Sequence, residues 1–158
     1  MPLQSVIQYL DQYGIGSKVL QFPEGESATV ALAAKAVGCA PEKIAKTLAV
    51  KYKENTALIV VAGDAKLDNK KFKAHFEGKP RMLSPDEALS ITGHPVGGVC
   101  PFDLPDGLSV YLDVSLKRFD SVFPACGSAN SAVEIDLKTL EAASKSNGWI
   151  DVCSNWGL

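Results

Sequence analysis

Two strand-like segments separated by only two residues set the terms for this fold. Residues 46–53 (K-T-L-A-V-K-Y-K) alternate with the two-residue period of a half-buried strand, and residues 56–62 (T-A-L-I-V-V-A) form an unbroken, β-branched-rich apolar run. A parallel pair needs a crossover of a dozen or more residues, which Glu54-Asn55 cannot supply. The two segments must therefore pair as an antiparallel hairpin with a buried second strand. A purely doubly wound parallel sheet is disfavoured, although strands and helices interleave elsewhere. The expected class is α/β of the mixed α+β kind: a largely antiparallel mixed sheet, partly curled towards a barrel, with helices packed outside.

Around the hairpin the pattern turns helical. Leu3, Val6, Ile7 and Leu10 share one side of a helix over residues 3–13, closed by Gly14. Residues 17–22 read as a short strand stopped by Pro23. Ser27 is placed to cap an Ala/Val/Leu-rich helix that runs to Val37-Gly38. Pro41 starts a turn that delivers the chain to Lys46. After Gly63-Asp64, residues 67–76 form a basic amphipathic helix with Leu67, Phe72 and Phe76 inward. Ser84-Pro85-Asp86-Glu87 is a capping box for a helix to about Thr92, which Gly93 stops. Residues 94–105 hold three prolines and two glycines and must be a shaped loop. A strand at 109–114, a short helix or turn at 116–122, a strand at 132–137 and a helix at 137–146 complete the pattern.

A chain of 158 residues with 46% apolar and 22% charged side chains matches one globular domain. Its apolar runs are all shorter than the roughly 18 residues of a membrane span, and its first residues lack the basic and apolar regions of a secretory signal. The expected setting is cytoplasmic. Cys39, Cys100, Cys126 and Cys153 include no C-x-x-C pair, and the two histidines have no ligand spacing, so neither a metal site nor a redox dithiol is expected. The net charge of -2 conceals an asymmetry. Residues 43–81 carry ten basic against four acidic side chains, and the rest of the chain six against fourteen. Such a basic middle is either the footprint of a polyanion contact, through Lys51, Lys53, Lys70, Lys71 and Lys73, or a solvated face.

Lys46 is the most informative residue. Strand alternation puts it on the face of Leu48, Val50 and Tyr52, so it points inward at the strand's mouth if that face is the core. An inward ammonium needs an anion, a carbonyl ligand or an acid; otherwise it snorkels, or a carboxylate such as Glu134 or Asp136 satisfies it. Gly97-Gly98-Val99-Cys100-Pro101 is the second candidate. Adjacent glycines let backbone amides approach a carbonyl or a developing oxyanion, and the alternative is a tight helix-to-strand connection. Val99, Cys100 and Phe102 would line a pocket beside it, with Cys100 as a small wall residue rather than a nucleophile. His94 at the loop entry is a proton carrier, a hydrogen-bond donor or a packing residue. Gly127, Ser128 and Asn130 belong to a small polar loop that either binds a ligand or makes a turn. P-loop, G-x-S-x-G, G-x-G-x-x-G and H-E-x-x-H motifs are all missing.

The order of these segments resembles the YbaK/prolyl-tRNA synthetase-associated editing domain family. It is carried by Lys46-Thr47-Leu48, by Gly63-Asp64 with Leu67-Asp68-Asn69-Lys70-Lys71, by residues 93–102 (G-H-P-V-G-G-V-C-P-F), and by Gly127-Ser128 with Glu134-Ile135-Asp136-Leu137. The resemblance spans about residues 15–140. It implies a free-standing relative of the editing domain of bacterial prolyl-tRNA synthetase. Such proteins deacylate mischarged transfer RNA, chiefly tRNA(Pro) bearing Ala, Cys or another small amino acid, without metal or cofactor. The implied partners are the aminoacylated tRNA 3′ end and, as a docking candidate, prolyl-tRNA synthetase, with neither DNA nor membrane involved. By the same resemblance Lys46 is the functional lysine, Gly97 to Pro101 form a G-x-x-x-P loop holding the aminoacyl group and terminal adenosine, and Glu134 pairs with Lys46. The chain departs from the family pattern at Asp103, where many relatives have glycine, near Phe22, where some have tyrosine, and at Ser128-Ala129-Asn130. A non-catalytic aminoacyl-tRNA or synthetase-binding module is the alternative, and a small-molecule hydrolase a third reading.

Overall fold

The computed structural model describes residues 2–23, 25, 29–95 and 97–157. The helices are α1 (Pro2–Asp11), α2 (Val30–Val37), α3 (Asn69–Phe76), α4 (Pro85–Thr92) and α5 (Leu137–Ser144). The strands are β1 (Leu20–Gln21), β2 (Ile44–Tyr52), β3 (Asn55–Ala62), β4 (Lys66–Leu67), β5 (Arg81–Met82), β6 (Ser109–Asp113), β7 (Ser121–Pro124), β8 (Ser131–Ala132), β9 (Ile135–Asp136), β10 (Trp149–Ile150) and β11 (Cys153–Ser154). Seven strands make one mixed sheet, curled as a half-barrel, in the order β10-β6-β3-β2-β7-β9 with β5 also on β2. The pairs β1-β8 and β4-β11 stand apart from it.

The hairpin forms as the sequence requires. β2 and β3 pair antiparallel from Ala45↔Ala62 to Tyr52↔Asn55, and the turn between them puts Lys53 at a φ of 52°. On its other edge β3 pairs parallel with β6, so it is covered on both sides. Residues Ala57 to Ala62 accordingly have no exposed surface. Burying each of the larger side chains contributes about 1.5–3 kcal/mol.

Both faces of β2 are occupied. On one, Tyr52 meets Phe76 at a ring-centroid distance of 4.7 Å, and Phe72 and Phe76 of α3 lie 4.5 Å apart. Asp68 caps that helix by accepting from the amides of Lys70 and Lys71. On the other face Ala45, Thr47 and Ala49 look towards a cavity walled by α2, β5 and α4. The capping box of α4 is complete, with Ser84 and Glu87 exchanging hydrogen bonds and Gly93 closing the helix at a φ of 80°.

Several boundaries differ from the sequence reading. Residues 17–22 yield a 3₁₀ turn at Gly16–Lys18 and a two-residue, exposed β1. Ser27 lies outside the described residues; Thr29 caps α2 by accepting from the Leu32 amide. Leu67 is in β4, paired with Cys153, and α3 starts after it. The 3₁₀ turn begins at Val114, leaving residues 121–124 free to form β7. The segment at 132–137 divides into β8 and β9, which join different partners.

Candidate active site

The cavity beside β2 has a volume of about 270 Å³. Its wall is mainly small and apolar, with Ala33, Ala45, Ala49, Ala88, Val99 and Phe123 among the lining residues. Lys46 and Gly97 line the same space, so the two leading sequence candidates converge on it.

Lys46 pairs with Val61 in the hairpin and is half-buried. Its Nζ lies 3.4 Å from the carbonyl oxygen of Gly63, a long and weak hydrogen bond. Burial lowers its pKa, a nearby Cys153 and Asp64 act in the opposite sense, and Lys66 adds to the lowering. Glu134 is not its partner: that carboxylate is exposed and accepts from Ser121 Oγ at 2.7 Å. The reason is topological, because β7 lies between β2 and β9, next to which Glu134 sits.

Gly63, which the sequence marks as a strand end and as part of the family-like order, also supplies the carbonyl that Lys46 contacts. A Cβ there would stand 2.1 Å from the Pro41 carbonyl oxygen, so no other residue fits without moving the turn. The adjoining Asp64 accepts from Arg118 at 2.5 and 3.0 Å and from the Gly157 amide at 3.2 Å. Arg118 also stacks on Phe119 and Trp156, at 4.9 Å from each ring. Residues 153–157 thus hold the turn that carries the Lys46 carbonyl partner. The Arg118 hydrogen bonds are the main cause that keeps the Asp64 carboxyl below its usual range. A depressed carboxyl pKa contributes stability above the unfolded value of about 3.9, lost as pH falls through the folded value. Arg118→Ala should therefore cost about 2 kcal/mol at neutral pH, less below pH 4, as read by urea unfolding at several pH values.

The glycine loop divides into a lining half and a buried half. Gly97, at a φ of 81°, and Val99 face the cavity. Gly98 is buried against Ser128, and its amide donates to Pro95 O at 2.9 Å, so this expected substrate donor is already engaged. Cys100 and Phe102 are fully buried and Pro101 is buried with them; none lines the cavity, which corrects the expected role of Cys100 and Phe102 as its wall. Burial pushes the Cys100 thiol up to about 12, well away from nucleophilic use. His94 is equally withdrawn at 2% exposure, its Nε2 2.9 Å from Phe102 O and its pKa lowered by burial. It does not line this cavity.

The loop of Gly127, Ser128 and Asn130 supports the glycine loop from behind rather than lining the cavity. The Gly127 amide donates to Gly98 O at 3.0 Å, Ser128 Oγ bonds Asn130 Oδ1 at 2.9 Å, and Asn130 Nδ2 donates to Phe22 O at 2.8 Å. The basic residues are spread out. Lys51 pairs with Arg81 across β2 and β5, Lys53 is in the hairpin turn, and Lys70 and Lys73 are exposed on α3. Lys71 is tied to Asp151 at 3.1 Å and to Cys153 O at 2.8 Å, so it braces the fold. Among the described residues no group of three or more His, Cys, Asp or Glu could hold a metal ion, and no helix is long and apolar enough to cross a membrane.

The half-barrel thus sets a lysine and a glycine loop around one small cavity. The model of the aminoacyl-tRNA editing domain family matches residues 24–143, and the chain belongs to that family. It is 52% identical to the uncharacterized protein YwhH of Bacillus subtilis (strain 168), over 99% of both chains. It is 38% identical to the proline–tRNA ligase of Thermotoga maritima over 66 residues, covering 41% of this chain and 11% of that one. Among solved structures, a proposed trans-editing enzyme for prolyl tRNA synthetase superposes with a TM-score of 0.87 at 28% identity, over 97% of each chain. The hypothetical protein APE2540 gives a TM-score of 0.83 at 27% identity, over 95% of this chain and 99% of that one.

Proposed function

We propose that this chain, as a single editing domain over residues 1–158, hydrolyses the ester of mischarged transfer RNA in trans in the cytoplasm, with tRNA(Pro) carrying Ala or Cys as substrate. The observation that carries this reading is the convergence of Lys46, Gly97 and Val99 on a cavity of about 270 Å³ walled by small apolar side chains. An aminoacyl ester is already reactive, so the protein needs to orient it, stabilise the oxyanion and admit water. Water adds to the ester carbon, the bond to the ribose oxygen breaks, and a proton passes to that oxygen. The weak Lys46 contact with Gly63 O is readily exchanged for the developing oxyanion, and the backbone at Gly97 and Val99 holds the acyl group. The small walls exclude larger side chains by size, which discriminates more strongly than graded apolar contact.

The test is a panel of mischarged tRNAs assayed with chelator present. Catalytic release of alanine or cysteine from tRNA(Pro) is expected, whereas stoichiometric protection of the ester would establish the binding-module alternative. Lys70 and Lys73 are exposed beside Lys71, which the fold itself uses. Reversing both charges should weaken KM and flatten its salt dependence, with kcat little changed. A rate independent of these lysines and of salt would favour a small-molecule substrate.

A further inference from the structure

Thr47 carries an anomaly. Its Oγ1 is buried and has no hydrogen-bond partner among the described residues. An unpaired buried hydroxyl destabilises a protein, and valine, of the same shape, would suit this strand position better. Yet the residue lines the cavity that Lys46 shares.

The other lining hydroxyls among the described residues already have partners. Ser131 Oγ donates to Ser128 O and accepts from the Cys126 amide, both at 3.1 Å. Thr29 Oγ1 accepts from the Leu32 amide as the cap of α2. Among the described residues, the lining side chains include no carboxylate, and Lys46 is the one cation among them. An aminoacyl group brings a carbonyl oxygen, which suits a donor-only ammonium, and an α-amino group, which needs an acceptor. Among the described lining hydroxyls, Thr47 is the one with no partner. One step about χ1 exchanges its hydroxyl with its methyl group, so the oxygen can turn towards an occupant without backbone movement.

We infer that Thr47 is a substrate-binding residue whose hydroxyl takes the α-amino group of the bound aminoacyl ester in its uncharged form. A neutral oxygen in a wall whose described side chains include one lysine and no carboxylate disfavours the ammonium form. This rests on the deacylase reading above and identifies the chemical handle by which the site tells an aminoacyl ester from a plain acyl ester.

The test compares wild type, Thr47→Val and Thr47→Ser on alanyl-tRNA and on propionyl-tRNA, which lacks only the amine. Thr47→Val should raise the urea midpoint of the free protein, lower kcat/KM for the alanyl ester about tenfold, and leave the propionyl ester unchanged. Thr47→Ser should keep the alanyl rate. An unchanged alanyl rate in Thr47→Val, equal losses on both esters, or a lowered urea midpoint each overturns the inference. A wild type inert on every ester removes the deacylase reading and this inference with it; an active wild type matched by Thr47→Val removes the inference alone.

Discussion

Lys46→Ala should lower kcat/KM for deacylation at least about a hundredfold, the scale of losing one charged oxyanion stabiliser, while leaving the fold intact. The side chain is half-buried and, among the described residues, has a single weak hydrogen bond at 3.4 Å and no ion pair, so little native stability depends on it. The urea midpoint should shift by no more than about 0.5 kcal/mol equivalent, as for a substitution away from core contacts. The pH profile adds a second readout. Burial, the largest influence on Lys46, lowers its pKa. Its ammonium is then lost at a lower pH than the ordinary lysine value of about 10.4, and kcat/KM should fall on an alkaline limb below that value. Lys46→Arg should shift the limb beyond the measurable range at reduced rate. Unaltered turnover in Lys46→Ala would remove the lysine from the mechanism.

Gly98→Ala should injure both stability and activity, because the obstacle is backbone. A Cβ at this position would stand 2.5, 2.6 and 2.7 Å from the amide nitrogen, Cα and carbonyl carbon of Ser128. These atoms cannot rotate away as a side chain would. Relief requires the loops to part, breaking the Gly127 N–H bond to Gly98 O and displacing Gly97 and Val99 from the cavity. Destabilisation of about 2–3 kcal/mol and a loss of activity beyond tenfold at permissive temperature are expected, by urea titration and single-turnover deacylation. Gly107→Ala is the control. Gly107 has a φ of 93° but open space for a Cβ, so only backbone strain of about 1–2 kcal/mol applies, with activity retained.

What could be read from the sequence follows from where the information lies. The hairpin, α3 and the α4 capping box were legible because their determinants are local: alternation, a run of aromatics at helical spacing, and a cap within four residues. The two-residue strands β4, β10 and β11 were not, since such strands are defined by partners such as Leu67 for Cys153 and Leu112 for Trp149. The same limit applies at the site. Alternation suggested one inward face for β2, but Ala49 and Val50 on opposite faces are both buried, so the cavity adjoins the face assigned to the exterior. Thr47 was overlooked for that reason. Glu134 was misassigned because proximity to Lys46 depended on strand order across the sheet. Glycine doublets announced a close approach, but not that half of it faces Ser128.

The clasp formed by residues 153–157 bears on how the protein comes into being on the ribosome. The Gly157 amide reaches back across more than ninety positions to Asp64, Trp156 stacks on Arg118, and β11 pairs with β4 beside the Gly63 carbonyl that Lys46 contacts. Residues 153–157 lie beyond the 24–143 stretch that matches the family model. A nascent chain can fold its central hairpin early, but the lysine's seat is incomplete until residue 157 has left the exit tunnel. Hydrolytic competence should therefore appear late and abruptly during synthesis, when arrested chains of increasing length are assayed in turn.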